Sequence, residues 1–137
     1  DINNKKIIYK GTFQPELLPN EWSNKGIGLV WDGNFDETED DLGMKNYNKY
    51  NNPHKLSCYL AAGIPVIVWE KAAIADIVIE NNIGYLINNI YDINKIDFSD
   101  YEIKKENAKK IREKVISGYF TKKVINEILV DIEKNSK

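Results

Sequence analysis

The apolar residues of this chain fall into short runs near its start and helical stripes near its end. Lys5 and Lys6 lead into Ile7, Ile8 and Tyr9, and Lys10-Gly11-Thr12 follows, so a β-rich run meets a turn signal and predicts a strand. Between 13 and 22, Pro15-Glu16-Leu17-Leu18 before Pro19 predicts a short helical turn that the second proline stops. Residues 26–31, Gly-Ile-Gly-Leu-Val-Trp, read as a second, buried strand closed by the loop signal Asp32-Gly33-Asn34. From Phe35 to Asn52 no period is present, which predicts a long polar loop; in a compact domain such loops are more often functional or mobile than idle.

The next stretch is strongly patterned. Residues 53–62 predict a helix with Leu56, Tyr59 and Leu60 on one side, Gly63 at its stop and Pro65 beyond. Residues 64–69 form a continuous apolar run of strand length, the mark of a strand covered on both faces. Ile74, Ile77 and Val78 give a helix over 72–80 ended by Asn81-Asn82, and Gly84 to Ile87 a further short strand. Alternating strands and helices imply parallel pairing through crossovers. After Tyr91 the pattern is helical only: Ile103, Ile111 and Val115 mark one helix, Gly118 breaks it, and Phe120, Val124, Ile128 and Ile132 recur every four residues on a second. These two helices either close the sheet or reach a neighbouring domain. The expected fold is α/β, a Rossmann-like parallel sheet flanked by helices, with two C-terminal helices.

Composition narrows the function classes. A length of 137 residues suits one domain, and 42% hydrophobic with 29% charged residues argues against both a disordered and a membrane-buried chain. The longest near-apolar run, 58–69, carries Gly63 and Pro65 and is well short of the roughly 20 residues a membrane-spanning helix needs. No basic start precedes an apolar stretch, so no signal-peptide pattern is expected. A lone cysteine, Cys58, and a lone histidine, His54, form neither an intrachain disulfide nor a zinc set, which suits a reducing cytoplasm. The net charge of −2 is uneven: 1–103 hold 9 basic and 16 acidic side chains, 104–137 hold 10 and 5. A basic tail can touch phosphates or anionic lipid at a membrane surface, although a solvated outer face is the plainer meaning. Arg112 is the only arginine, and base-edge recognition relies on arginine forks, so no nucleic-acid partner is expected.

In an open parallel sheet, ligands bind beyond the carboxyl ends of the strands. That rule selects Gly11-Thr12-Phe13, Asp32-Gly33-Asn34, the loop entering the helix at Pro53, and Glu70-Lys71-Ala72-Ala73. At the third place, Asn52 suits an N-cap and Pro53 the first helical position. His54 and Lys55 then lie in the first turn, where backbone amides and the helix dipole disfavour a cation by about 0.3 to 1 kcal/mol unless an anion shares the site. A phosphate resolves that conflict, with Lys55 adding the full charge that the amides lack. The competing reading leaves Lys55 in solvent or paired with the acidic run Asp36 to Asp41, and His54 as a surface residue. Other motifs fail. Glu37 and Gly43 stand where a calcium loop from Asp32 needs its Gly and its Glu, and neither G-x-G-x-x-G nor a P-loop occurs. Glu39-Asp40-Asp41 reads as a solvated loop rather than an ion site, and Ser57 and Cys58 read as packing residues.

The run Tyr50-Asn51-Asn52-Pro53-His54-Lys55-Leu56-Ser57-Cys58-Tyr59-Leu60-Ala61-Ala62-Gly63-Ile64-Pro65-Val66-Ile67-Val68-Trp69, followed by Ala72-Ala73-Ile74-Ala75-Asp76, resembles the donor domain of bacterial sugar-nucleotide glycosyltransferases. Within these it is most similar to the beta-1,6-galactofuranosyltransferase group, which includes the glucosyltransferase acting on serine-rich adhesins. Ile8 to Phe13 and Gly28 to Gly33 fit in order, so the likeness covers nearly the whole chain. It implies a two-domain GT-B architecture in which 1–137 is the donor-binding half, beginning inside that half and inactive alone, while an N-terminal domain outside this chain holds the acceptor. One departure stands out. Many retaining relatives place paired glutamates where this chain has Cys58 and Tyr50, so the retaining mechanism does not carry across.

The resemblance thus implies transfer of a hexosyl group, galactofuranose or glucose, from a UDP-sugar to an acceptor hydroxyl of a cell-surface glycan or glycoprotein. The diphosphate is expected at the helix opening with Asn52 and Pro53, Lys55 offsetting leaving-group charge as the catalytic residue and Asn51 orienting it. Thr12, Phe13, Asp32 and Gly33 are expected to meet the nucleoside, and Ala72 and Ala73 the sugar. The UDP-sugar is a substrate; no cofactor and no metal are expected. The expected place is the cytoplasm, at the inner membrane surface if the basic tail touches lipid, and self-association stays open. A rival reading makes the chain a non-catalytic module docking a partner through its terminal helices; that requires Phe120, Val124, Ile128 and Ile132 to be exposed rather than buried against the sheet. A nucleotide-sugar epimerase of the same fold is a third reading, marked by product formation without acceptor.

Overall fold

The computed structural model describes residues 7–22, 26–32 and 47–135. In chain order it contains α1 (Leu18–Glu21), β1 (Gly28–Val30), α2 (His54–Ala62), β2 (Val66–Trp69), α3 (Ala75–Glu80), β3 (Gly84–Ile87), a 3-10 helix (Ile90–Lys95), α4 (Tyr101–Ile116) and α5 (Tyr119–Asn135). The three strands form a parallel sheet in the order β1-β2-β3, with Gly28 opposite Val66 and Val66 opposite Gly84. Helices flank this sheet, giving the Rossmann-like α/β arrangement, and α4 and α5 close the chain.

The central strand explains the core. All four residues of β2 are buried, and Val66 and Val68 are wholly inaccessible, as a strand with a neighbour on each edge and cover on each face must be. Leu56 and Leu60 of α2, Ile74, Val78 of α3, and Ala108 and Ile111 of α4 complete one cluster with Val30 and Ile83. Two glycines permit close approach: a Cβ on Gly28 would lie 2.3 Å from the Tyr59 ring, and one on Gly84 would lie 2.1 Å from the Val66 carbonyl oxygen. Gly63 ends α2 in the left-handed region at φ 70°. The Arg112 Nε donates to the Ala61 carbonyl at 2.9 Å, so the chain's one arginine satisfies an orphan carbonyl at the end of α2.

Several expectations are corrected. Residues 7–9 form no strand: Ile7, Ile8 and Tyr9 are exposed, because β-propensity supplies no partner strand. Pro19 lies in the first turn of α1 and so helps to start that helix, since its missing N-H is one of those left without a partner at a helix start. β1 is half-covered rather than buried, with Leu29 facing outward. On α2 the cap position belongs to Pro53, extended at φ −69° and ψ 137°, and no side chain caps the helix, which places Asn52 outside it. Ala72 and Ala73 lie in a turn ahead of α3. Ile77 and Ile103 are exposed because the inward rows are Ile74/Val78 and Lys104/Ala108/Ile111; each exposed isoleucine sits one residue, about 100°, from an inward position.

The C-terminal helices differ sharply. α4 packs along α2 and is tied to the turn before β3 by Lys104, whose Nζ donates to Asn82 Oδ1 at 2.6 Å and pairs with Asp100 at 3.1 Å. The Tyr85 hydroxyl donates to the same carboxylate at 2.9 Å. α5 follows Gly118, at φ 68°, and every residue from 119 to 135 is exposed, including Phe120, Val124, Ile128 and Ile132. Among the described residues no helix is long and apolar enough to cross a membrane.

Candidate functional site

Three of the four places selected at the strand ends come together. Trp31 and Asp32 follow β1, and the Lys55 ammonium from the first turn of α2 forms an ion pair with the Asp32 carboxylate. The same ammonium lies 3.4 Å from the Trp31 carbonyl oxygen. Asn48 joins the third place: its Nδ2 donates to the Asp32 carbonyl at 2.9 Å, and its own carbonyl accepts from the Ala73 amide at 3.1 Å. The end of β1, the start of α2 and the loop after β2 are thus stitched together by one asparagine and one lysine.

The local structure follows from the chain's chemistry. Tyr47 accepts from the amides of Tyr50 and Asn51, so the last residues before α2 make a helical turn that presents Asn48 to both neighbours. Pro53 then redirects the chain into α2. The first amides of a helix have no intrahelical partner and carry partial positive charge, and Lys55 stands among them. Its side chain is half-exposed while that of Asp32 is three-quarters covered, so the ion pair has one wet end and one sheltered end. The Trp31 indole Nε1 is buried with no hydrogen-bond partner among the described residues.

The remaining expected residues divide. Asn51 and Asn52 sit on the approach to α2, beside Lys55 in the chain, and Gly33 lies outside the described residues, as does the acidic run 36–41. Ala72 packs on the core, whereas Ala73 is exposed with its amide already engaged by Asn48. Thr12 and Phe13 are exposed in the segment before α1. That segment leads to Pro15, Glu16 and Pro19, which line a cavity of about 390 Å³ with His54 and Cys58 on another side of α2. His54 Nδ1 lies 3.3 Å from Cys58 Sγ. Burial pushes the Cys58 thiol up, which keeps it protonated at neutral pH and unsuited to attack. Glu70, Asn88, Asp92 and Lys95 line a further open cavity of about 440 Å³ beyond the carboxyl ends of β2 and β3. Among the described residues no group of three or more His, Cys, Asp or Glu side chains is placed to hold a metal ion.

Asn48 is the site residue that sequence reasoning passes over. It lies in the aperiodic stretch, and its one visible signal is a small amide side chain shortly before a proline-started helix.

Comparison with known proteins shows the family. Residues 1–128 match the family model described as Glucosyltransferase 3-like, C-terminal domain. Over 131 residues the chain is 35% identical to the beta-1,6-galactofuranosyltransferase WbbI of Escherichia coli (strain K12), covering 91% of this chain and 39% of that protein. It is 33% identical over 126 residues to Glucosyltransferase 3 of Streptococcus gordonii, covering 87% of this chain and 35% of that protein. The figure for Glucosyltransferase 3 of Streptococcus parasanguinis is 28% over 125 residues, with 88% and 36% covered. The chain therefore spans well under half the length of these relatives.

Proposed function

The chain belongs to the Glucosyltransferase 3-like, C-terminal domain family, and we propose that it is the donor-binding domain of a glycosyltransferase that moves a hexosyl group from a UDP-sugar to an acceptor hydroxyl. The acceptor is held by a part of the protein outside this chain, and the acceptor molecule is a surface glycan or glycoprotein handled at the cytoplasmic face of the membrane. The donor sugar is galactofuranose or glucose, the two that the names of the relatives carry.

The observation that supports this reading is the Lys55 ammonium beside the first turn of α2, at the carboxyl end of a parallel sheet. The β-phosphate of the donor rests on the amides that open α2, and Lys55 turns from Asp32 toward it. As the bond from the sugar to the β-phosphate oxygen breaks, negative charge grows on that oxygen. An ammonium already in place stabilises it without reorganising solvent. Asp32 aims the lysine and sets its resting position. Asn51 orients the diphosphate, the nucleoside lies toward Thr12, Phe13 and Asp32, and Ala73 leaves room for the sugar. Removing one such electrostatic donor typically costs about 3 kcal/mol, roughly a hundredfold in rate.

The test is titration calorimetry of the full-length protein with UDP, together with donor turnover. Lys55→Ala is expected to weaken UDP binding and lower turnover about a hundredfold, while Asp32→Asn, which frees the lysine, retains UDP binding. Undiminished UDP affinity in Lys55→Ala overturns the assignment of the phosphate site.

A further inference from the structure

We propose that Asn48 is a positioning residue of the donor site: it fixes Asp32 so that the Lys55 ammonium stands where the leaving phosphate oxygen needs it, a role that rests on the phosphate site proposed above. The ladder between β1 and β2 stops at the pair Val30 and Val68, so Trp31 and Asp32 lie beyond the sheet pairing. Yet the groups that hold Lys55, the Asp32 carboxylate and the Trp31 carbonyl, both belong to that two-residue stretch. A lysine carries a point charge on a flexible stem, so its ammonium is only as well placed as the groups that hold it.

Asn48 takes over where the ladder ends. Its side-chain Nδ2 donates to the Asp32 carbonyl at 2.9 Å, in place of the backbone amide that a longer strand pair would offer. The asparagine is anchored in turn to the loop after β2, because its backbone carbonyl accepts from the Ala73 amide at 3.1 Å. Tyr47, Lys49 and Tyr50 of the same turn are exposed while Asn48 is half-buried, so the turn directs this one residue into the body. Contacts therefore run without a break from Ala73, the expected sugar end of the donor, through Asn48 and Asp32 to Lys55 at the phosphate end. A neutral amide can make this link and leave the charge balance of the Lys55–Asp32 pair as it is. Misplacing a reacting group by about 1 Å can cost about a hundredfold in rate, so a residue that acts through Lys55 still governs the site.

A double-mutant cycle on the UDP affinity of the full-length protein, read by calorimetry, tests this. Asn48→Leu keeps the approximate shape of the side chain and removes its donor. It is expected to weaken UDP binding about tenfold in the wild-type background, and less than about twofold when Lys55→Ala is already present. Asn48→Gln, which retains an amide donor, is expected to recover most of the lost affinity. If the leucine variant lacks a cooperative thermal transition, Asn48→Ala takes its place in the same cycle. Undiminished UDP affinity in Lys55→Ala overturns the phosphate site and this proposal together. With the Lys55→Ala loss present, three results overturn the positioning role and leave the phosphate site standing: wild-type affinity in Asn48→Leu, an equal loss in both backgrounds, or a glutamine variant no better than the leucine one. An equal loss in both backgrounds is what a merely structural asparagine would give.

Discussion

β2 is apolar throughout and α5 carries a long apolar row, and the two meet opposite fates. β2 lies between two strands and is covered on both faces, with Val66 and Val68 wholly inaccessible. α5 leaves the body at Gly118, packs mainly against α4 and keeps its apolar row in solvent. Hydrophobic periodicity reports the shape of an element and the side it would bury. Whether that side is covered depends on which neighbours arrive, and for α5 the described chain supplies few.

The sharpest way to break this comparison is one charge placed in each region. Val68→Asp sets a carboxylate into the buried apolar cluster between Val30 and Leu86, a cost above about 4 kcal/mol. Domains of this kind have about 5 to 15 kcal/mol in total. Thermal unfolding followed by circular dichroism is expected to lose its cooperative transition in Val68→Asp. A variant that kept the transition would mean that β2 is not the organising strand.

The same contrast shows what was legible in the sequence. Residues 64–69 read as a doubly covered strand, and 66–69 form one, because six apolar residues between Gly63 and Glu70 leave no polar face to expose. The four-residue recurrence from Phe120 likewise made α5 a helix, and its exposure is the outcome that the docking reading required. The strand read at Ile7 to Tyr9 failed because a strand is defined by its neighbour, which composition cannot provide. The cap of α2 moved by one residue: an extended Pro53 occupies the position that Asn52 was expected to fill. The site was half-legible. Lys55 was singled out by its conflict with the helix dipole, and Asp32 by its place after a strand, but their pairing joins residues 23 apart with no local period to announce it. Asn48 was invisible for the same reason, since its role exists only once β1, α2 and the loop after β2 have been folded together.

A smaller effect separates α4 from α5. α4 is tied down by the cluster of Lys104, Asp100, Tyr85 and Asn82, and α5 by no comparable set among the described contacts. The Lys104 hydrogen bond holds the Asp100 carboxyl below its ordinary value, helped by the Tyr85 hydroxyl and against some desolvation. A carboxyl depressed in the folded state lends stability above its unfolded pKa, and that contribution is lost as pH falls through the lower, folded value. Stability is therefore expected to decline on acidification below about pH 4. Asp100→Asn is expected to be less stable at neutral pH and to show a shallower acid decline. Denaturant midpoints measured from pH 7 down to pH 3 check both, and an equal acid slope in the two proteins would remove Asp100 from the account.

The smallest expected change is also the finest test of whether α5 is bare in the monomer. Val124→Ala removes two methyl groups from a side chain that is 53% exposed. At a covered position that deletion would cost the transfer energy of the methyls plus a cavity, well over 1 kcal/mol. On an open helix little packing is lost, and alanine recovers about half a kcal/mol of helix propensity relative to valine. The two contributions nearly cancel, so denaturant unfolding at dilute concentration should place the variant within about 0.5 kcal/mol of wild type. A dilute-solution loss of more than 1 kcal/mol would mean that the row is already covered within a single chain, and the contrast between β2 and α5 would then be one of degree.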